Sequence, residues 1–315
     1  MFRDAAGGDF SLAAGSPCPD AGYTGKAPTK TEIDKWKASF YRFNPNKNPR
    51  KETVKQAKGK KTKRVYYVVP GPANPRGYGN SWANALGSLQ DAMDLAYENN
   101  GEVWVAAGIY KPSSNDRTVS FRLRAGVAVY GGFSGKETAR NQRNIDVNRT
   151  VLSGDIGQNG VASDNSFHVL TGADGAVLDG FTVRGGYANG GSEPSQNKGG
   201  GLLNYLPGMS GRPRSRTVAG FSTTVVNCTF RANYAVSGGA VYSYDRCKPV
   251  FRNCRFFDNR ARFGGAVMDR VGVRATYEKC SFELNRAQYR GGALMFDYGS
   301  RPAITGCSFE SNSSK

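Results

Sequence analysis

Among its 315 residues the sequence has a single histidine, His168, and none of its six cysteines forms a Cys-x-x-Cys pair. Those absences remove the usual ligand sets of structural zinc, and they weaken any serine- or cysteine-type hydrolase, whose nucleophile needs a base beside it. His168 lies in DNSFHVLTG with no nucleophile motif around it, so it reads as a structural residue at a strand start. No stretch approaches the roughly 20 apolar residues that cross a bilayer, and MFRDAAGGDFSLAAG lacks the basic and apolar blocks of a leader. Neither a membrane span nor a signal peptide is expected.

Acidic residues are also scarce, 25 against 43 Lys/Arg, for a net charge of +18. The imbalance is local: residues 26–64 hold 14 Lys/Arg against three acids. That segment, centred on FNPNKNPRKETVKQAKGKKTKR, shows almost no apolar periodicity after Phe43 and reads as a solvated linker. Lys58, Lys60, Lys61, Lys63 and Arg64 are its candidate contacts to an anionic polysaccharide or the cell envelope. Specific nucleic-acid recognition is not expected, because no aromatic residues interleave the charges and no recognition helix accompanies them.

What the chain does have is glycine, 41 residues, with 11% aromatics and a mean hydropathy of −0.53, a strand-and-turn composition. The C-terminal third repeats itself: NCTFRANYAVSGGAVYSY, NCRFFDNRARFGGAVMDR, KCSFELNRAQYRGGALMFDY and GCSFESNSSK. Cys228, Cys254, Cys280 and Cys307 recur at 26, 26 and 27 residues, and Phe230, Phe256, Phe282 and Phe309 keep step with Asn233, Asn259, Asn285 and Asn312. Within a repeat, C-x-F alternates as a strand does, and Asn or Gly-Gly marks the turns. A repeat this short cannot bury its own apolar face, so it must stack on its neighbours about 4.8 Å away. The expected fold is all-β, a parallel β-helix with internal ladders.

The pattern continues upstream, where LDGFTVRGGYANG places Phe181 with Cys228 and Val183 with Phe230, and Gly200-Gly201-Leu202 matches Gly239-Ala240-Val241. Two insertions in that coil, GGSEPSQNK and PGMSGRPRSRTVAG, must be surface loops. SLQDAMDLAYENN differs: Leu89, Ala92, Met93, Leu95 and Ala96 at three- and four-residue spacing predict one short helix, placed over the N-terminal mouth of the solenoid. The domain reading is a detached closing segment over 1–25, a basic linker over 26–64 and the β-helix over 65–315.

From Tyr66 the residues YYV, GNSWANALGSLQDAM, EVWVAAGIYKP, SFRLRAGVAVYGGFSGKET, TVLSGDIG, DNSFHVL and AVLDGFTVRGG resemble a bacterial family of right-handed β-helix surface proteins, polymorphic outer-membrane and adhesin-like, with the pectate-lyase-like fold. The resemblance covers about four-fifths of the chain. It implies a right-handed parallel β-helix at the cell surface or outside the cell, in a family that includes adhesive and polysaccharide-processing proteins. FRDAAGGDFSLAAGSPCPDAG resembles the segment that closes such a helix, although here it comes first. Phe2, Phe10, Leu12 and Pro17 are therefore candidate anchors for head-to-tail self-association.

The laddered cysteines read as buried free thiols, since in-register side chains hold their Cβ atoms near the coil spacing and not the roughly 3.8 Å of a disulfide. Cys18 and Cys247 fall outside the ladder and their pairing is open. Asp245, Asp269 and Asp297 follow the Gly-Gly strands with Arg246, Arg270 and Arg301 nearby, at offsets too uneven for a catalytic row. Tyr205, Tyr242, Tyr244, Asp245, Asp269, Arg270, Phe296, Asp297 and Tyr298 outline a weak carbohydrate-binding surface of Tyr, Asp and Arg. The function this supports is a non-catalytic extracellular scaffold or adhesive rod. The alternative is a polysaccharide lyase or glycoside hydrolase acting on an acidic polysaccharide. No catalytic residue, metal ligand or cofactor is indicated, Ca²⁺ being the one ion that a lyase-type site would call for.

Overall fold

A computed structural model describes residues 2–4, 9–12, 63–71, 77–191, 196–205 and 221–315. The chain divides into two units, Met1–Lys60 and Lys61–Lys315. In the first, Phe2–Asp4 pairs antiparallel with Asp9–Leu12, with Phe2 opposite Leu12. Three of the four assembly candidates belong to this hairpin. Pro17, Lys58, Lys60, Lys61 and Cys18 lie outside the described residues, as does most of the linker.

The second unit is a right-handed parallel β-helix of four sheets, in which every described strand pair is parallel. Sheet 1 has eight strands running from Val65–Val68 to Ala303–Thr305, and sheet 2 has seven from Gly108–Tyr110 to Ser308–Glu310. Sheet 3 has five from Tyr187–Ala188 to Ser313–Ser314, and sheet 4 has six from Phe121–Arg122 to Leu294–Asp297. One turn of chain visits the sheets in order, as in Thr224–Val226, Thr229–Arg231, Tyr234–Ser237 and Val241–Tyr244, and the next turn begins at Val250.

Alternation along each strand builds the core. Val225, Phe230, Ala235 and Val241 point inward from the four sheets of one coil and are wholly buried. Stacked in register they become columns: Val225, Phe251 and Tyr277 in sheet 1, and Phe230, Phe256, Phe282 and Phe309 in sheet 2. The sheet 2 rings lie face to face, with centroids 5.2, 4.7 and 4.9 Å apart. The register Val183–Phe230 and Leu202–Val241 is the one expected from the repeats.

The corners hold by polar ladders. Asn233, Asn259 and Asn285 each donate through Nδ2 to the side-chain oxygen of the asparagine one coil on, at 3.0, 3.0 and 2.9 Å. The same amides donate to backbone carbonyls one coil back, Asn259 to Phe230 and Asn285 to Phe256. A buried polar side chain is tolerated here because the stack satisfies it. In each Gly-Gly pair the two glycines have separate reasons. Gly264 takes φ +63°, and a Cβ on Gly265 would run into the Gly292 carbonyl of the next coil.

Helix α1, Leu89–Glu98, starts at Ser88, whose hydroxyl accepts from the Asp91 amide at 3.2 Å. It buries Leu89, Ala92, Met93 and Ala96 in the same core as Tyr66 and Val68 of the first sheet 1 strand, so it closes the N-terminal end of the coil as anticipated.

Cys228, Cys254 and Cys280 form the interior thiol column, with Cys307 half exposed beyond them, and all four are free, as is buried Cys247. Burial pushes the Cys228 thiol up to about 12 and raises Cys254 as well; the hydrogen bond with Cys254 lowers Cys280, which at 2% exposed is shielded by access alone. In the native chain a water-soluble thiol reagent should therefore modify Cys307 first and leave Cys254 and Cys280 until the coil unfolds. Mass mapping of labelled peptides checks this, and early labelling of Cys254 would refute the column.

Candidate functional site

The outward face of sheet 4 carries the site. In Val241–Tyr244 the inward residues are Val241 and Ser243, so Tyr242 and Tyr244 point out. Register then aligns Leu203, Tyr242, Met268 and Met295 in one outer column, and Tyr244, Arg270 and Asp297 in the next. The first column is an apolar strip that covers Tyr242, 1% exposed, with Tyr205, Tyr244 and Phe263 packed around it. The second is polar and open.

Around the second column the groups meet. The Tyr205 and Tyr244 rings are edge to face at 5.5 Å, and Tyr242 and Tyr244 lie nearly parallel at 6.3 Å. The Arg270 guanidinium sits 4.4 Å over the Tyr298 ring, with Asp297 Oδ2 3.7 Å from its Nε. Lys198 reaches in from the turn before the strand Leu202–Asn204, its Nζ 5.8 Å from the Tyr242 ring centroid and 3.0 Å from Asn197 Oδ1. Burial, with the Arg270 charge adding to it, holds the Lys198 ammonium below the ordinary lysine range. Burial pushes the Tyr242 hydroxyl well up, so it stays protonated. The face therefore offers ring surfaces, two cations and one carboxylate, a set suited to a hydroxylated ring bearing negative charge.

Six of the nine surface candidates gather here, Tyr205, Tyr242, Tyr244, Arg270, Asp297 and Tyr298, although Tyr242 is buried beneath the others and presents no surface to a ligand. Three do not. Asp245 turns aside at a corner with φ +53° and pairs with Arg246 at 3.1 Å. Phe296 packs against the core. Asp269 aligns with Ser243 and Phe296 on the inward parity, is 0% exposed, and accepts from the Tyr277 hydroxyl at 2.9 Å, so it cannot touch a surface ligand. Alternation fails as a guide in AVMDR because Val267 and Met268 are both apolar, which hides which of them faces in. Lys198 was not anticipated; one lysine in an insertion carries no periodic marker. The outer column was readable in principle, since Tyr242, Met268 and Met295 end the runs AVY, AVM and ALM.

His168 is buried with Nδ1 3.1 Å from the Gly199 carbonyl oxygen, and burial lowers it to about 4, so it is neutral at pH 7. Several carboxylates of the coil meet single arginines, as Glu278 meets Arg252 at 2.9 Å and Asp179 meets Arg143 at 2.7 Å. Among the described residues no three of His, Cys, Asp and Glu converge as a metal site would require. No described helix is long and apolar enough to cross a membrane. Of the expected polyanion contacts, Lys63 and Arg64 are described and both are exposed.

Comparison with curated proteins finds no match. Among solved structures, pectin methylesterase from Aspergillus niger is similar in its penultimately deglycosylated and its deglycosylated form, each 12% identical. The first alignment covers 82% of this chain and 88% of that one with a TM-score of 0.33, the second 79% and 85% with a TM-score of 0.30. Similarity that low transfers no pectin chemistry. The family described as a right-handed β-helix region matches residues 217–315, so the repeats from Thr224 onward, which supply Tyr242, Tyr244, Arg270, Asp297 and Tyr298, are the part of this right-handed parallel β-helix that a known family describes.

Proposed function

We propose that this chain is a non-catalytic scaffold of a bacterial surface or secreted protein, adhesive in character, whose sheet 4 face holds an acidic polysaccharide. The observation that carries the reading is the convergence of Tyr205, Tyr244, Arg270, Asp297 and Tyr298 on adjacent coils, with Lys198 beside them. A rigid stack presents these side chains at fixed spacing without ordering any loop, which lowers the entropic cost of binding an extended chain. What favours this over a lyase is that no three carboxylates converge among the described residues, whereas Ca²⁺-assisted lyase chemistry calls for such a cluster.

The test is calorimetric titration of the full chain with acidic and neutral oligosaccharides. Tyr244→Ala and Arg270→Gln should each weaken acidic binding by about tenfold, the loss of one stacking or charge-assisted contact, with an unchanged melting temperature. Unaltered affinity in both variants would defeat the proposal, and unsaturated sugar products would move the assignment to a lyase.

A further inference from the structure

Sheet 2 carries a second surface that the tyrosine face does not use. A depression of about 320 Å³ opens on its outer side, lined among others by Arg149, Arg231, Arg255, Asn227, Thr182 and Thr229. Asp146 is the one carboxylate in its lining. Sheets 2 and 4 are not consecutive in the coil, so the two surfaces are separate.

The charges here are arranged against folding. Arg184 and Arg231 are register partners on adjacent coils, and both face outward because Val183 and Phe230 between the paired strands face in. Like charges directly opposite each other in a ladder destabilise it. Other arginines of the coil have carboxylate partners: Arg252 lies opposite Glu278 and bonds to it, and Arg255 is held by Glu283, Nε to Oε1 at 3.0 Å. No carboxylate of the described residues pairs with Arg184 or Arg231. The Nε of Arg184 is in addition buried without a hydrogen-bond partner, a donor that water does not reach. Arg184 and Arg231 thus stack about 4.8 Å apart on adjacent coils, and Arg255, in register with Thr229, stands one outward position along on the next coil. Thr182 and Thr229 stand beside them with hydroxyls, and Phe257, register partner of Arg231, lies under the Arg255 guanidinium at 4.6 Å.

We infer that this groove binds a linear oligosaccharide carrying carboxylate or sulfate groups, its anions on Arg149 and Arg231 and its hydroxyls on Thr182, Thr229 and Asn227. A sugar fits better than a nucleic acid, because Phe257 is covered by Arg255 and leaves no open ring on which a base would stack. A bound anion would meet Arg231, which the protein leaves without a carboxylate and opposite a like charge.

The experiment titrates the full chain with a heparin-derived sulfated oligosaccharide, an oligogalacturonate and a neutral maltooligosaccharide at about 0.15 M salt. Three variants accompany it: Arg149→Gln with Arg231→Gln, Tyr244→Ala, and a linker variant with Lys58, Lys60, Lys61, Lys63 and Arg64 changed to Gln. Both groove arginines are exposed, so the double variant should keep the native melting temperature. Its affinity for at least one acidic probe should fall by tenfold or more, the equivalent of about one charge-assisted hydrogen bond, and whichever probe responds identifies sulfate or carboxylate as the anion. Loss in the double variant with none in Tyr244→Ala would uphold the groove and remove the tyrosine face. Unchanged acidic binding in the double variant, loss confined to Tyr244→Ala or the linker variant, or no acidic binding by the native chain would each overturn the inference.

Discussion

Replacing Phe256 with alanine should destabilise the β-helix by about 3–5 kcal/mol, as for other fully buried aromatics. Phe256 is 0% exposed and lies between Phe230 and Phe282, its ring within 8° and 3° of parallel with theirs, while Phe251 meets it edge on at 5.7 Å. Its removal leaves a cavity that the rigid coils above and below cannot close, because their spacing is set by backbone hydrogen bonds and not by the side chain. In a stacked array the loss falls on two interfaces at once, so unfolding is expected to become less cooperative as well as easier. Denaturant unfolding followed by circular dichroism measures both. A cost below about 1 kcal/mol would mean that the column is far looser than the ring distances indicate.

The second large effect is a dependence on pH that runs opposite to ordinary acid denaturation. Burial, only partly offset by the Tyr277 and Ser243 hydroxyls, pushes the Asp269 carboxyl up to about 7. In the unfolded chain the same group titrates near about 3.9. Between those values the folded state holds a proton that the unfolded state has released, so stability falls as pH rises. The contribution is complete below about pH 4 and lost above about pH 7, for a total on the order of 4 kcal/mol. Asp269→Asn should remove this slope, since the amide carbonyl can still accept from the Tyr277 hydroxyl without ever becoming charged. The variant should be the more stable protein at pH 8 and close to the native one at pH 4. Glu283, held low by Arg255, and Asp94, lowered by Arg124 and Gln90 against its own desolvation, act in the other direction and only below the usual carboxylate range. Taking the difference between native and variant proteins at each pH cancels them. A parallel pH profile for the two would show that Asp269 is solvated.

The ladders, the period and the helix were all visible in the order of residues, because each rests on local repetition. A cysteine, a phenylalanine and an asparagine returning every 26 or 27 residues can stack in only one register. The spacing Leu89, Ala92, Met93, Ala96 defines one apolar stripe whatever it packs on. The tyrosine face was partly visible, since Tyr242 and Tyr244 share strand parity and their register with Met268 and Arg270 follows from the same repeat. Asp269 was misplaced because the residues before it are apolar on both sides of the strand.

The amino-acid order alone therefore dictates the coil: its length per turn, its inner columns, its capping helix and the glycine pairs at its tightest corner. Folding decides which outward residues meet, and this depends on parity at ambiguous strands and on where an insertion returns the chain. Lys198 joins the tyrosines because the turn at Gly199 brings it back against Tyr242, and no repeat encodes that return. Arg149, Arg231 and Arg255 stand far apart along the chain and share no motif; they line one depression because successive coils stack about 4.8 Å apart. Buried positions are readable from sequence because the core demands one residue type at each repeat. The outer surface makes no such demand, so its chemistry becomes defined only once the coils are in contact.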